Sequence, residues 1–474
     1  MLKPTIGCEV HCELKTATKL FCGCKNEFGG EPNTHCCPIC SGFPGTLPTL
    51  NERAVEYAVK AGLALGCTIN KFSKWDRKNY FYPDLPKAWQ TSQYDLPLCV
   101  GGYVEFELNG ETKRVRLNRI HLEEDAGKLV HDGGVSRVDY NRCGVPLIEI
   151  VTEPDMHSAD EVVAFLTALK SVLKYTGVSD VKMQEGSLRC DVNLSVAEEG
   201  APLGTRTETK NLNSFRAVAR SVLYETRRQI EVIESGGKVE QETRRFDDAR
   251  GVGYAMRSKE DAHDYRYFPE PDLLPVVFTD ERIEEIAASI PSLPKARKER
   301  YVTEYGLPRY DAEVLTIDKE VSDLFDGAVA AGADPKKTSN FIMSEVLRLA
   351  KTDGAEDADI KISATVLAEI VKMQAADELN NLAAKSLLSM VWGTNDDPRE
   401  VAKNKGLIQS NDEGAIKEIF DGVIAANASQ VNDFLNGNDK LRGYFVGQVM
   451  RAAGGKANPK IINALLDALK ENGK

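Results

Sequence analysis

Two groups of residues in this sequence have the types and spacing to do chemistry. The first is Cys22-x-Cys24, followed after twelve residues by Cys37-x-x-Cys40. Four thiolates in two close pairs joined by a loop describe a closed tetrahedral zinc site, which is structural rather than catalytic. Gly23 and Pro38 supply turns that let the paired sulfurs face one ion. His35 and Cys36 adjoin the second pair and leave the ligand choice open, and reduced cysteines in a small core are the plainer alternative. A zinc deaminase, suggested by His11-x-Glu13 ahead of a Cys-x-x-Cys, fits poorly. Pro38 lies inside the cysteine pair instead of before it, and Cys22 and Cys24 would have no role.

The second group comes from reading strand-like segments at period two. Glu9, His11 and Glu13 share one face, with Cys8, Val10 and Cys12 on the other. Arg189, Asp191, Asn193 and Ser195 share a face, as do Arg206, Glu208 and Lys210, and Glu149 sits between Ile148 and Ile150. Glu123-Glu124-Asp125, near His121, could add ligands or form a solvated turn. These faces either form the wet side of an antiparallel sheet or converge on a pocket. Residue choice favours the pocket: carboxylates with one imidazole suit a hard divalent cation such as Mg²⁺, and Arg and Lys beside them suit phosphate.

The elements that must position these groups come next. Residues 1–290 read as short alternating segments separated by Gly, Pro, Asn and Asp turns. Ser158 with Glu161 caps a helix carrying Val162, Phe165, Leu166, Leu169 and Leu173. Ser214 starts another with Val218, Val222 and Ile230 inward, stopped at Gly236-Gly237. Pro291 and Pro294 mark a boundary, after which the pattern is mainly helical. Val366, Ile370 and Val371, then Leu387, Leu388 and Val391, fall at helical spacing, and a last helix runs from Pro459 through Ile462, Leu465, Leu466 and Leu469. A second junction near 393–406 divides the chain into 1–290, 291–400 and 401–474.

Aromatic and basic residues interleave at 75–84 and again at His263-Asp264-Tyr265-Arg266-Tyr267-Phe268-Pro269-Glu270-Pro271. They either stack on a base or pack as ordered loops. Arg227-Arg228, Arg244-Arg245 and the run from Lys295 to Arg300 are phosphate candidates or solvated charge. There is no phosphate loop, nucleophile elbow, kinase signature or dinucleotide fingerprint, so nucleotide chemistry here needs a different fold.

The 474 residues are 42% hydrophobic and 28% charged, which suits two to four soluble domains. Net charge is −12, against a nucleic-acid binder as a whole. The last 74 residues, with ten basic and eight acidic side chains, are the exception. Eleven cysteines, seven within the first 40 residues, point to metal use rather than disulfides. No apolar stretch approaches a membrane span and the start is not a signal peptide, so a cytoplasmic location without membrane contact is expected.

Several strings together resemble one family: IGCEVHCEL, KLFCGCKNEFGGEPNTHCCPICSGFPGTLP, DRKNYFYPDLPKAWQTSQYD, IHLEEDAGK, RCDVNLSV, ETKNLNSFRAV, MRSKEDAHDYRYFPEPDL and YFVGQVMRAAGGKANP. They are similar to the B subunits of glutamyl/aspartyl-tRNA(Gln/Asn) amidotransferases, over essentially the whole chain. Cys36, where the family usually has a small or polar residue, is a minor departure that leaves the cysteine quartet intact. The resemblance implies an α+β fold: a β-rich antiparallel cradle domain with a zinc-bearing insertion, an all-α helical domain, and a small helical tail that contacts tRNA. It implies ATP-dependent phosphorylation of the Glu or Asp side chain on misacylated tRNA(Gln) or tRNA(Asn), then amidation. It also implies a heterotrimer, in which the amidase (the A chain) supplies ammonia and a small C chain wraps the pair. By motif, Glu9, His11, Glu124 and Glu149 match the family's metal-binding positions, with Mg²⁺ on His11, Glu124 and Glu149; Glu123 is the alternative one residue away. Arg206 and Lys210, from their shared strand face, are the candidates for ATP phosphates, with Asp191 and Asn193 beside them. The chain has no amidase Ser-Ser-Lys constellation or evident glutaminase triad, which itself predicts an external ammonia source. The competing expectation is a non-catalytic, zinc-containing tRNA-binding scaffold.

Overall fold

The computed structural model describes residues 1–258, 264–351, 359–454 and 456–472. It divides into two compact units, Met1–Leu293 and Pro294–Lys474.

The first unit contains the strands. In chain order they are β1 (Leu2–Glu13), β2 (Thr68–Ile69), β3 (Phe72–Ser73), β4 (Asp76–Asn79), β5 (Trp89–Ser92), β6 (Cys99–Val100), β7 (Tyr103–Leu108), β8 (Glu111–Glu124) and β9 (Lys128–Asp132). They continue with β10 (Val135–Asp139), β11 (Pro146–Thr152), β12 (Leu188–Glu198), β13 (Thr207–Lys210), β14 (Glu242–Asp247), β15 (Val252–Ser258), β16 (Phe268–Pro269) and β17 (Val276–Val277). Ten form one sheet in the order β15-β14-β13-β12-β1-β11-β8-β6-β2, with β7 also on β8. A three-stranded sheet, β16-β4-β5, and two strand pairs complete the unit.

Strand β1 sits in mid-sheet, antiparallel to both β12 and β11. Its alternation sorts the side chains: Ile6, Cys8, Val10 and Cys12 are buried in the core, while His11 and Glu13 on the opposite face are only half-buried. The expected antiparallel pattern holds except at β13–β14, which run parallel. The helix between them, Phe215–Glu234, supplies the crossover that parallel neighbours need.

Four helices among the described residues share the core, the last of them, Asp280–Ala288, through Ile286. Helix α1 (Glu52–Ala64), for which the sequence raises no expectation above, is capped by the Asn51 side chain. In α2 (Ala159–Thr176) Ser158 accepts from the Glu161 N–H, and Gly177 ends the helix at φ 74°. In α3 (Phe215–Glu234) Ser214 accepts from the Ala217 N–H. Val162, Phe165, Leu166, Leu169 and Leu173 of α2 are all buried, each worth about 1.5–3 kcal/mol of transfer free energy.

The second unit is helical and has two separate cores. One gathers Tyr301, Phe325, Ile342, Leu367, Leu387 and Ala402; the other gathers Phe420, Phe434, Phe445, Ile462 and Leu466. The first division falls after Leu293, within the expected Pro291–Pro294 stretch, where Pro294 opens the helix Pro294–Thr303. The 400/401 boundary cuts the helix Pro398–Asn404, whose Ala402 is fully buried in the first core, and Leu407 and Ile408 pack there too.

Candidate active site and metal centre

Strand pairing builds the site. His11 lies opposite Glu149 on β11 and Arg189 on β12, and Glu149 lies opposite His121 on β8. Arg189, His11, Glu149 and His121 therefore form one row across four strands on the polar face. Glu123, two residues beyond His121, adds a second carboxylate to that face. His11 Nε2 is 3.8 Å from Glu123 Oε1 and 3.7 Å from Glu149 Oε2. His121 Nε2 is 3.2 Å from Glu149 Oε2 and 3.5 Å from Glu123 Oε2.

Ligand atoms of His11, Glu123 and Glu149 lie within 4.8 Å of one another. Burial pushes the Glu149 carboxyl up, but His121, His11 and Lys78 outweigh it and hold the group well below the usual carboxylate range. Burial lowers His121, yet Glu149 and Glu123 raise it to about 9. Glu9, next along the face, is pushed up by burial and then by Glu149 and Glu208. Carboxylates crowded this closely, with one imidazole, are a donor set that a hard divalent cation fits.

Glu124 does not belong to this group, contrary to expectation. Alternation along β8 turns it with buried Leu122 to the other side. There its carboxylate pairs with Lys87 and accepts from the Thr91 N–H at 2.8 Å. Both side chains line a cavity of about 330 Å³ beside Cys22 and Cys40. Glu123, the alternative one residue away, takes the expected place.

The phosphate candidates are assembled but largely engaged. Lys210 Nζ lies 2.6 Å from Asp191 Oδ2 and 2.7 Å from Glu208 Oε1. Asn193 Nδ2 donates to Glu9 Oε1 at 2.9 Å. Arg206 is exposed, just before β13, with no ion pair among the described residues. Among the basic runs, Arg228 and Arg244 are tied to Glu225 and Glu242. Arg297 and Arg300 are tied to Asp323 and Asp326. These four are structural ion pairs.

Sequence reasoning missed a second carboxyl pair. Asp125 is buried and accepts from Arg189 Nη2 at 2.6 Å. Burial and Asp125 together push Glu13 up to about 8. Between its ordinary 4.5 and about 8 the folded protein keeps a proton that the unfolded chain has released. Stability from this group is thus complete at low pH and lost as pH rises through that window, by up to about 1.4 kcal/mol per pH unit. Urea unfolding between pH 5 and 8 should show a shallower decline for Glu13→Gln than for the parent; parallel profiles would contradict the assignment.

The two aromatic stretches come together. Strand β16 pairs with β4, placing Phe268 opposite Arg77. Tyr80 and Tyr265 rings are 5.9 Å apart, Tyr265 and Tyr267 6.0 Å, and Tyr94 stacks on Tyr267 at 4.3 Å. Lys78 Nζ sits 4.8 Å from the Tyr265 ring centre. His263 of that stretch lies outside the described residues.

The cysteine motif forms one group: the sulfurs of Cys22, Cys24, Cys37 and Cys40 lie within 4.8 Å of one another. Cys36 turns its sulfur to the Asn33 carbonyl, 3.2 Å away. Hydrogen bonding with Cys22 draws Cys40 down to about 4 against the cost of burial, with Lys19 Nζ 3.7 Å from its sulfur. Thiolate character and four converging sulfurs fit a closed tetrahedral metal site. His11 belongs to the other group, so the deaminase arrangement is absent among the described residues.

The chain thus joins a sheet-rich unit bearing the His11, Glu123 and Glu149 group to a helical unit. Residues 4–284 match the family model of the GatB/GatE catalytic domain, and residues 323–469 that of the GatB domain. The B subunit of the aspartyl/glutamyl-tRNA(Asn/Gln) amidotransferase of Caldicellulosiruptor bescii is 56% identical over 467 residues, 97% of each chain. Those of Thermoanaerobacter sp. (strain X514) and Lachnospira eligens are each 53% identical, covering 97% and 98% of this chain and 98% of their own. The chain belongs to this family of amidotransferase B subunits.

Proposed function

We propose that the chain carries the ATP-dependent step of a tRNA-dependent amidotransferase, converting Glu on tRNA(Gln) or Asp on tRNA(Asn) to the amide. The observation that carries this reading is the convergence of His11, Glu123 and Glu149 at one point of the polar sheet face. A carboxylate is a poor electrophile, and phosphorylation gives it a leaving group. Phosphoryl transfer asks for positioning and charge neutralisation more than covalent chemistry. Mg²⁺, held by His11, Glu123 and Glu149, supplies that neutralisation when bound.

The remaining work falls to the chain's own groups. Exposed Arg206 meets the outer phosphates of ATP, and Lys210, steadied by Asp191, lies beside it. Glu9, its carboxyl raised by burial and oriented by Asn193, takes the proton that ammonia sheds as the C–N bond forms. Ammonia comes from a partner amidase, the A chain, with a small C chain completing a heterotrimer. The four cysteines hold a structural Zn²⁺. The helical tail, whose separate core begins after Ile408, contacts the tRNA body. No described helix is long and apolar enough to cross a membrane, and the reaction belongs in the cytoplasm with translation.

The test is ATP hydrolysis by the reconstituted complex. Misacylated tRNA should stimulate ADP release, and amide should accumulate with it. A complex whose amidase releases ammonia while ATP turnover ignores both Glu-tRNA(Gln) and Asp-tRNA(Asn) would favour the scaffold reading.

A further inference from the structure

We infer that Lys78, held in a cage of tyrosine rings beside His11, Glu123 and Glu149, is the residue that receives the side-chain carboxylate of the aminoacyl substrate. The inference rests on the function proposed above and deepens it.

Most cations near the site are already engaged by carboxylates. Arg189 is engaged by Asp125, Lys210 by Asp191 and Glu208, Lys87 by Glu124, and Arg77 by Glu270 and Asp272. Among the described residues only Lys78 and Arg206 in this group make no salt bridge. Arg206 is exposed and lies outside β13, next to Glu208. Lys78 is half-buried and lies opposite Gln90 on β5; Gln90 Nε2 donates to the Glu124 carbonyl at 2.8 Å, and Ser92 of the same strand donates to Glu123 Oε2 at 3.4 Å, which sets β4 and β5 against the Glu123 end of β8. Of the two, it is Lys78 that stands by the candidate cation site.

The Lys78 ammonium is held by aromatic rings. It lies 4.8 Å from the Tyr265 ring centre and 6.0 Å from that of Tyr80. Ring faces stabilise an ammonium electrostatically without using its three N–H donors. A lysine so placed is positioned yet still free to donate. The cage is itself fastened: Asn79 N donates to the Tyr265 carbonyl at 2.9 Å, and Asn79 Nδ2 to the Arg266 carbonyl at 2.8 Å. Arg266, between Tyr265 and Tyr267, is held at φ 43°, a conformation that side-chain-bearing residues keep only where surroundings impose it.

The ligand follows from the chemistry. A compact point charge with apolar ring walls suits one carboxylate on a short methylene stem. A triphosphate, with its several charges, is better met by a divalent cation and the open Arg206 edge. In the reaction a carboxylate oxygen forms its bond to the γ-phosphorus as the bond to the ADP oxygen breaks. Lys78 keeps its protons throughout and steadies the second carboxylate oxygen.

The experiment compares the parent heterotrimer with Lys78→Met and Lys78→Arg complexes. It measures kcat/KM for misacylated tRNA, MgATP affinity, and the relative binding of Glu-tRNA(Gln) and product Gln-tRNA(Gln). For Lys78→Met we expect kcat/KM to fall by about 100-fold, as loss of a charge-assisted hydrogen bond implies. MgATP affinity should stay within about twofold, and preference for the acidic over the amidated aminoacyl group should disappear. Lys78→Arg should recover part of the loss. Parent-like kcat/KM in Lys78→Met, or an equal loss of MgATP affinity, would overturn this assignment alone. A parent complex with no aminoacyl-dependent ATP turnover would overturn the proposed function along with it.

Discussion

Glu123→Gln is expected to cut amide formation about 100-fold or more in a protein that still folds, whereas Glu124→Gln is expected to destabilise the fold itself. The two residues are adjacent, but β8 turns them to opposite sides of the sheet. Glu123 belongs with His11 and Glu149, and losing one of two carboxylates there should cost about two orders of magnitude or more in ATP-dependent turnover. His11→Ala should behave the same way, with glutamine hydrolysis by the partner amidase persisting. Glu124 is the partner of Lys87, whose side chain is 12% exposed against 2% for Glu124. Removing one member of a buried pair leaves a desolvated charge and costs about 3–5 kcal/mol. In a unit of this size that is a fall of roughly 10 °C in unfolding midpoint. Thermal unfolding and amidation assays on the three variants separate the two sides. A stable, inactive Glu124→Gln together with an active Glu123→Gln would place the cation group on the wrong face.

The parent protein is expected to bind about one zinc ion per chain, and Cys37→Ser protein to bind none. Structural zinc contributes an apparent 10–16 kcal/mol in small zinc-dependent folds, so the local consequence is large. It should also be confined. None of the four cysteines belongs to the main sheet's core cluster, which takes in Leu20 and Phe21 just ahead of the loop. Limited proteolysis should therefore open the 22–48 loop while far-ultraviolet dichroism changes little. Metal analysis finding no zinc in the parent, or an equally protected loop in Cys37→Ser, would refute the metal assignment.

What could be read from the sequence, and what could not, follows from the range of the interactions involved. The Glu9/His11/Glu13 face is a local consequence of strand alternation, and the structure retains it. The cysteine group follows from spacing, and α2 and α3 from their serine caps. Glu123 and Glu124 could not be told apart locally, because a run of three acids has no period; pairing with β11 decides which one faces His11. His121 is flanked by Ile120 and Leu122, and only its place opposite Glu149 marks it. Lys78 and Tyr265 are distant in the chain, joined by the β4–β16 pairing. The parallel β13–β14 step and the true end of the first helical core likewise depend on which elements pack together.

The central position of β1 has a consequence for how the protein is made. Strand β1 is made well before its two partners, residues 147–151 on its second half and residues 188–198 along nearly all of it. At about 5–20 residues per second, it waits on the order of ten seconds or more without either neighbour. During that wait an apolar strand with two open edges is available to other nascent chains. Its production should therefore depend on chaperone capacity, and slowed elongation before residue 200 should lower the yield of intact protein.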